Sequence, residues 1–216
     1  MSDFDKLKQK FLRLYEGFEM STGPEVQLGE WWIPHVKHFL GILDSSTDPV
    51  DAIQRCQMTH HFTIYTKIGD RHRIERYVEW MINYLKSTGL ELDVLQPNVT
   101  ETPSCLPQNL VETPDGRLVS PDMMRTLELW HSILSQLNDC HKISAIFELG
   151  SGYGGTARTG KLLLPDATLF LCDLPTSLFF SHQYVSLNFP DSKILLVENE
   201  SDLDCDLRTF DFVFLS

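Results

Sequence analysis

The sequence predicts an α/β fold in which a mainly helical N-terminal region, residues 1–118, precedes a parallel sheet covered by helices, residues 119–216. Three observations predict it. Apolar residues recur at helical spacing through roughly the first ninety positions, prolines interrupt that period over residues 92–118, and short apolar runs then alternate with helical stretches.

Taken in order, Leu7, Phe11, Leu14 and Phe18 lie on one stripe of a helix from Phe4 to about Phe18. A second helix is expected from about Glu30 to Leu43. Asp48-Pro49 combines an N-cap carboxylate with proline at the first helical position and opens a third segment through His61. Arg73 to Lys86 forms a fourth, which Gly89 ends. The junction carries Pro97, Pro103, Pro107, Pro114 and the turn signal Asp115-Gly116, and reads as loop or short hairpin.

Ser120-Pro121 repeats the cap-and-proline device and starts a helix to about Asn138, with Met124, Leu127, Trp130, Ile133, Leu134 and Leu137 on a broad apolar stripe. Strands are then expected at Ile143 to Leu149, Thr168 to Cys172, Lys193 to Val197 and Phe210 to Leu215. Helices from Gly154 to Leu164 and from Thr176 to Asn188 connect the first three. Alternation of this kind favours parallel pairing through right-handed crossovers.

The composition narrows the function. Eighteen Lys and Arg face thirty Asp and Glu, a formal net charge of -12, which is opposite to the basic footprint of a nucleic-acid binder. No apolar stretch is long enough to span a bilayer and no apolar leader opens the chain, so the expectation is a cytoplasmic protein that binds neither nucleic acid nor membrane. Cys56, Cys105, Cys140, Cys172 and Cys205 contain no C-x-x-C pair and read as reduced apolar residues.

One motif carries chemistry. Residues 147–155 read FELGSGYGG, and Gly150, Gly152 and Gly155 stand at G-x-G-x-x-G spacing between a predicted strand and a predicted helix. Glycines there let the backbone turn tightly against a ligand, and the first helical N–H groups supply donors. Two acids accompany them. Glu148 stands two positions before Gly150, and Asp173 ends the next strand, 18 residues after Gly155, where a carboxylate can accept from ribose hydroxyls.

The segment Glu148 to Gly154 resembles motif I, E/D-x-G-x-G-x-G, of class I S-adenosylmethionine-dependent methyltransferases. With CDLPTSL at 172–178, YVSLNFP at 184–190 and VETPDGRLVS at 111–120, the last half of the chain is similar to the bacterial sugar O-methyltransferases, whose second strand ends in Asp-Leu-Pro. The resemblance implies a Rossmann-like sheet, incomplete because only the first four strands of such a domain are present. It also implies S-adenosylmethionine as cofactor and a sugar or glycan hydroxyl as acceptor. Glu148, Gly150, Gly152 and Gly154 would surround the methionine part, with Ser151 in the same loop. Asp173 would hold the ribose and Leu174 would lie beside the adenine. Tyr153 either packs near the cofactor or sits as a surface aromatic on the turn.

Two other classes stay open. An NAD(P)-dependent oxidoreductase uses similar glycines and a similar ribose acid, but Glu148 would repel a pyrophosphate and suits a sulfonium cation. A non-catalytic, truncated binding protein is the other, with partner or self-association through an unpaired sheet edge. The catalytic base stays unknown, since acceptor loops of this class follow the fourth strand. Asn199 and Glu200 could approach an adenine but read better as a solvated loop. The histidines His35, His38, His60 and His61 have no partners at metal-ligand spacing, and no metal site is expected. His182 reads as a packing residue, Asp202, Asp204 and Asp206 as a solvated acidic connection, and Trp31, Trp32 and Trp80 as core.

Overall fold

A computed structural model describes residues 2–21, 32–59, 70–89, 100–102, 104–105, 107–137 and 142–216. Trp31, His60, His61, Pro97, Pro103 and Cys140 lie outside them. The described helices are α1 (Asp3–Ser21), α2 (Trp32–Ser45), α3 (Pro49–Gln57), α4 (Arg71–Ser87), α5 (Pro121–Leu134), α6 (Gly155–Leu163) and α7 (Pro175–Asn188). A two-stranded hairpin, β1 (Val111–Glu112) and β2 (Leu118–Val119), turns at Asp115-Gly116. A parallel sheet follows, made of β3 (Ala145–Leu149), β4 (Thr168–Cys172), β5 (Ile194–Leu196) and β6 (Phe212–Leu215).

The predicted caps form. The Asp48 carboxylate accepts from Val50 N and Asp51 N at 2.9 and 3.0 Å, and the Ser120 hydroxyl accepts from Met123 N at 3.1 Å. Each satisfies backbone donors that a helix start otherwise leaves orphaned, a contribution of about 1 kcal/mol. Helices α3 and α5 end earlier than predicted, at Gln57 and Leu134. The α5 stripe is shorter to match: Met124, Leu127 and Trp130 are buried, whereas Ile133 and Leu137 are exposed.

The order of the parallel strands is β3-β4-β6-β5. The α/β class and the four parallel strands match the prediction, but the order departs from the Rossmann arrangement. There the first strand lies inside the sheet between the second and the fourth. Here β3 is an edge, and β6 is inserted between β4 and β5, pairing Leu169 with Phe212 and Ile194 with Phe212. Residues in register across parallel strands share a face. One face therefore carries Ile146, Leu169, Phe212 and Ile194 in one row and Glu148, Leu171, Phe214 and Leu196 in the next. The other carries Phe147 and Leu149 on β3, which are 61% and 80% exposed.

The covered face packs on α7 and, through it, on the N-terminal helices. Phe11 of α1, Phe39 of α2 and Ile53 of α3 join Phe179 and Phe180 of α7 and Phe212 and Phe214 of β6 in a single core. The N-terminal region and the sheet region thus share apolar packing. His182 belongs to this core, with its ring against Phe11 and Phe214, and burial pushes its imidazole down to about 4. A second cluster joins α4 to α5 through Val78, Met81, Leu85, Met124 and Leu127. Trp80 is not core: it is 57% exposed and stacks on Tyr84 with ring centroids 5.7 Å apart. Cys56 and Cys105 are buried and Cys205 is exposed. No helix among the described residues is long and apolar enough to cross a membrane.

Candidate functional site

The glycine loop leaves the C-terminal end of β3 and delivers the chain into α6. Gly150 N donates to Cys172 O at 2.8 Å, extending the β3–β4 ladder by one bond, and Gly154 N donates to Ser151 O at 2.9 Å, closing the turn. Gly150, Gly152 and Gly154 have φ of 80°, 56° and 91°, in the left-handed region that side chains with a Cβ seldom enter. Gly154 has a second reason to be glycine. A Cβ there would lie 3.1 to 3.3 Å from Cβ, Cα and the carbonyl oxygen of Ser181 on α7.

A cleft of about 280 Å³ opens at this loop. Glu148, Gly150, Ser151, Gly152, Tyr153 and Asp173 line it, so six of the sequence-predicted residues come together. Gly154 and Leu174 do not line it. Gly154 is turned toward α7, where it allows close packing, and Leu174 precedes α7 and gives its backbone N–H to the Asp173 carboxylate at 2.7 Å. Tyr153 is not a surface aromatic. It is 7% exposed and meets Tyr184 edge-on, with centroids 5.1 Å apart.

Both acids are held in a desolvated place. Glu148 lies in the row with Leu171 and Phe214, on the helix-covered face, at the last turn of an edge strand. Burial raises its carboxyl to about 7; the Thr156 hydroxyl hydrogen-bonds it and opposes the shift, and the neighbouring Asp173 charge adds to it. Asp173 accepts from Gly152 N at 2.9 Å and from Leu174 N at 2.7 Å, and the Ser177 hydroxyl adds a third bond. Burial still outweighs these bonds and holds its carboxyl above the usual carboxylate range. Two acids sharing one partly buried cleft favour a ligand that brings positive charge or hydroxyl donors.

The opposite wall was not foreseen. Asp122, Arg125 and Thr126 from the first two turns of α5 line the cleft, and so does Trp32 at the start of α2. Trp32 was expected in the core, and it is 38% exposed. Packing of α5 on α6 puts this wall in place. The Trp130 indole N–H donates to Thr156 O at 2.9 Å, the Thr126 and Thr159 hydroxyls meet at 2.7 Å, and a Cβ on Gly160 would strike the Trp130 ring. The available signal was the helix start Ser120-Pro121, which brings Asp122 and Arg125 just upstream of the loop in sequence.

Behind the cleft, Glu101 from the junction segment sits in a buried polar network. Its carboxylate accepts from Tyr184 OH at 3.0 Å, Ser120 OH at 2.5 Å and Thr102 N at 3.0 Å, and the Arg158 guanidinium stands 3.8 Å away. Arg158 in turn donates to Asn188 Oδ1 at 2.7 Å and to Thr100 O. Asn199, read as part of a solvated loop, caps the short turn Glu200–Leu203 by accepting from Ser201 N at 3.1 Å. The acidic connection also makes local bonds, with Asp202 accepting from Glu198 N and Asn199 N and Asp206 accepting from Arg208 N. No protein-family model, curated protein or solved structure matches the chain.

Proposed function

We propose that the cleft binds S-adenosylmethionine and that the protein serves methyl transfer to a sugar or glycan hydroxyl. One observation carries the cofactor reading: Glu148 and Asp173, at the ends of adjacent parallel strands, both line the mouth of a glycine loop. A sulfonium with an ammonium group offsets the cost of holding two acids there, and ribose hydroxyls can donate to the carboxylate oxygens of Asp173. A dinucleotide is disfavoured by Glu148, because its pyrophosphate would meet like charge at short range.

Glu148, Gly150, Ser151, Gly152, Tyr153 and Asp173 are the cofactor residues of this proposal. Bound cofactor would supply the electrophilic methyl group, and the chain would orient it and exclude water around the sulfonium. The acceptor class rests on the resemblance of CDLPTSL and its neighbouring segments to sugar O-methyltransferases. Isothermal titration of the protein with S-adenosylmethionine and, separately, with NAD tests the reading. Heat from the first ligand alone is the expected result; heat from NAD, or from neither, overturns it.

A further inference from the structure

The cleft carries a charge arrangement that the glycine motif does not explain. Four charged side chains line it: the acids Glu148, Asp173 and Asp122, and one base, Arg125. The Arg125 side chain is exposed, and among the described residues it makes no hydrogen bond or ion pair. Its neighbours toward the loop are engaged. Thr126 bonds Thr159 and Met123 O, and Asp173 bonds the loop backbone. A cation with five unengaged donors in a planar fork, on the wall of a cleft, is suited to a bidentate carboxylate.

Its position is built rather than incidental. The Trp130 and Thr126 bonds to α6 fix α5 against the helix that the glycine loop feeds, so the α5 wall and the loop belong to one packed unit. The cleft therefore presents two acids, Glu148 and Asp173, at the strand ends, and on the α5 wall the guanidinium of Arg125 together with the mostly buried Asp122. A ligand that carries both a cation and a carboxylate at one end matches both walls. A purely cationic ligand would make no use of Arg125 and would be repelled by it, and a purely anionic one would face three acids.

Building on the cofactor reading above, we propose that Arg125 is the carboxylate anchor of the cleft and pairs with the α-carboxylate of S-adenosylmethionine while Glu148 faces its positive charge. The test compares two ligands that differ only in that group. Wild-type protein, Arg125→Ala and Arg125→Lys are titrated calorimetrically with S-adenosylmethionine and with decarboxylated S-adenosylmethionine, which keeps the sulfonium, ribose, adenine and an ammonium. Arg125→Ala should weaken S-adenosylmethionine by about tenfold or more, the scale of a charged hydrogen bond, and leave the decarboxylated ligand within about twofold. Arg125→Lys should recover part of the loss, since it keeps the charge and lacks the fork. Unchanged binding of the decarboxylated ligand also shows that the variant is folded. Equal weakening of both ligands, or of neither, overturns the anchor. Failure of the wild-type protein to bind either ligand overturns the cofactor reading, and the anchor with it.

Discussion

The Asp173 carboxylate accepts the backbone N–H of Gly152 at 2.9 Å, across 21 residues of sequence, so the acid at the end of the second parallel strand fastens the glycine loop of the first. Its other oxygen takes Leu174 N, at the start of α7. One side chain thus sets the loop and the following helix relative to each other, and the oxygen lone pairs left over face the cleft. Positioning the loop and receiving a ribose hydroxyl are compatible tasks for a carboxylate, which has about four acceptor sites.

Replacing Asp173 tests both tasks together. Asp173→Ala removes both loop bonds and the ligand acceptor, and S-adenosylmethionine affinity should fall by about 2 kcal/mol or more, the range for hydrogen bonds to a charged group. Asp173→Asn keeps one acceptor oxygen and should lose less. Titration calorimetry on the two variants checks the ranking; wild-type affinity in the alanine variant would remove Asp173 from the site.

The glycines of the loop should not respond alike. Gly150→Ala meets open space and pays only for its positive φ, about 1 kcal/mol. Gly154→Ala carries a similar strain and also drives a methyl group to 3.1 Å from Ser181, on a buried helix whose backbone must give way. Its loss should be larger, about 2–3 kcal/mol. Urea denaturation of both variants measures the difference, and equal midpoints would mean that α7 yields freely at Ser181.

The Glu101 network, which lies behind the cleft, predicts a stability effect. Glu101 and Arg158 have side chains only 2% and 6% exposed, and Tyr184, Ser120 and Thr102 complete the carboxylate's bonds. Glu101→Ala would leave Arg158 buried with its charge uncompensated and should cost about 3–5 kcal/mol. Because Tyr184 also meets Tyr153, Tyr184→Phe should couple to Glu101→Gln in a double-mutant cycle followed by thermal unfolding. Additive losses would show that the hydroxyl and the carboxylate act independently.

How far the sequence foretold this site depends on the range of the interactions involved. The caps at Asp48 and Ser120, the loop at Gly150 to Gly155 and the strand Thr168–Cys172 are local devices, each decided within a few residues, and they form where the pattern places them. Strand order is not local. The runs TLFLC, ILL and FVFL are interchangeable as apolar neighbours, so nothing in their period tells β6 to insert beside β4. The same limit applies to Arg125, whose place on the cleft depends on how Trp130 docks against Gly160, and to Trp80, whose apolar character says burial while its position on α4 leaves it outside.

Glu148 provides a pH signature for both stability and binding. Its carboxyl is raised from 4.5 to about 7 by burial, with the Asp173 charge adding to the shift. The folded state therefore holds a proton that the unfolded chain has already released between those two values, and stability should decline as pH rises through that window and level off above it. Glu148→Gln removes the proton exchange and should be more stable than wild type at pH 8 by about 3 kcal/mol, with little difference at pH 4. A cationic ligand acts in the opposite sense, because it favours the ionised carboxylate. S-adenosylmethionine should bind more tightly at pH 8 than at pH 6 and release protons on binding near neutrality, which calorimetry in buffers of different ionisation enthalpy reads directly. In Glu148→Gln that proton release should shrink and the affinity should lose most of its dependence on pH. An affinity that falls from pH 6 to pH 8 in the wild-type protein would mean that the ligand's positive charge does not lie against Glu148.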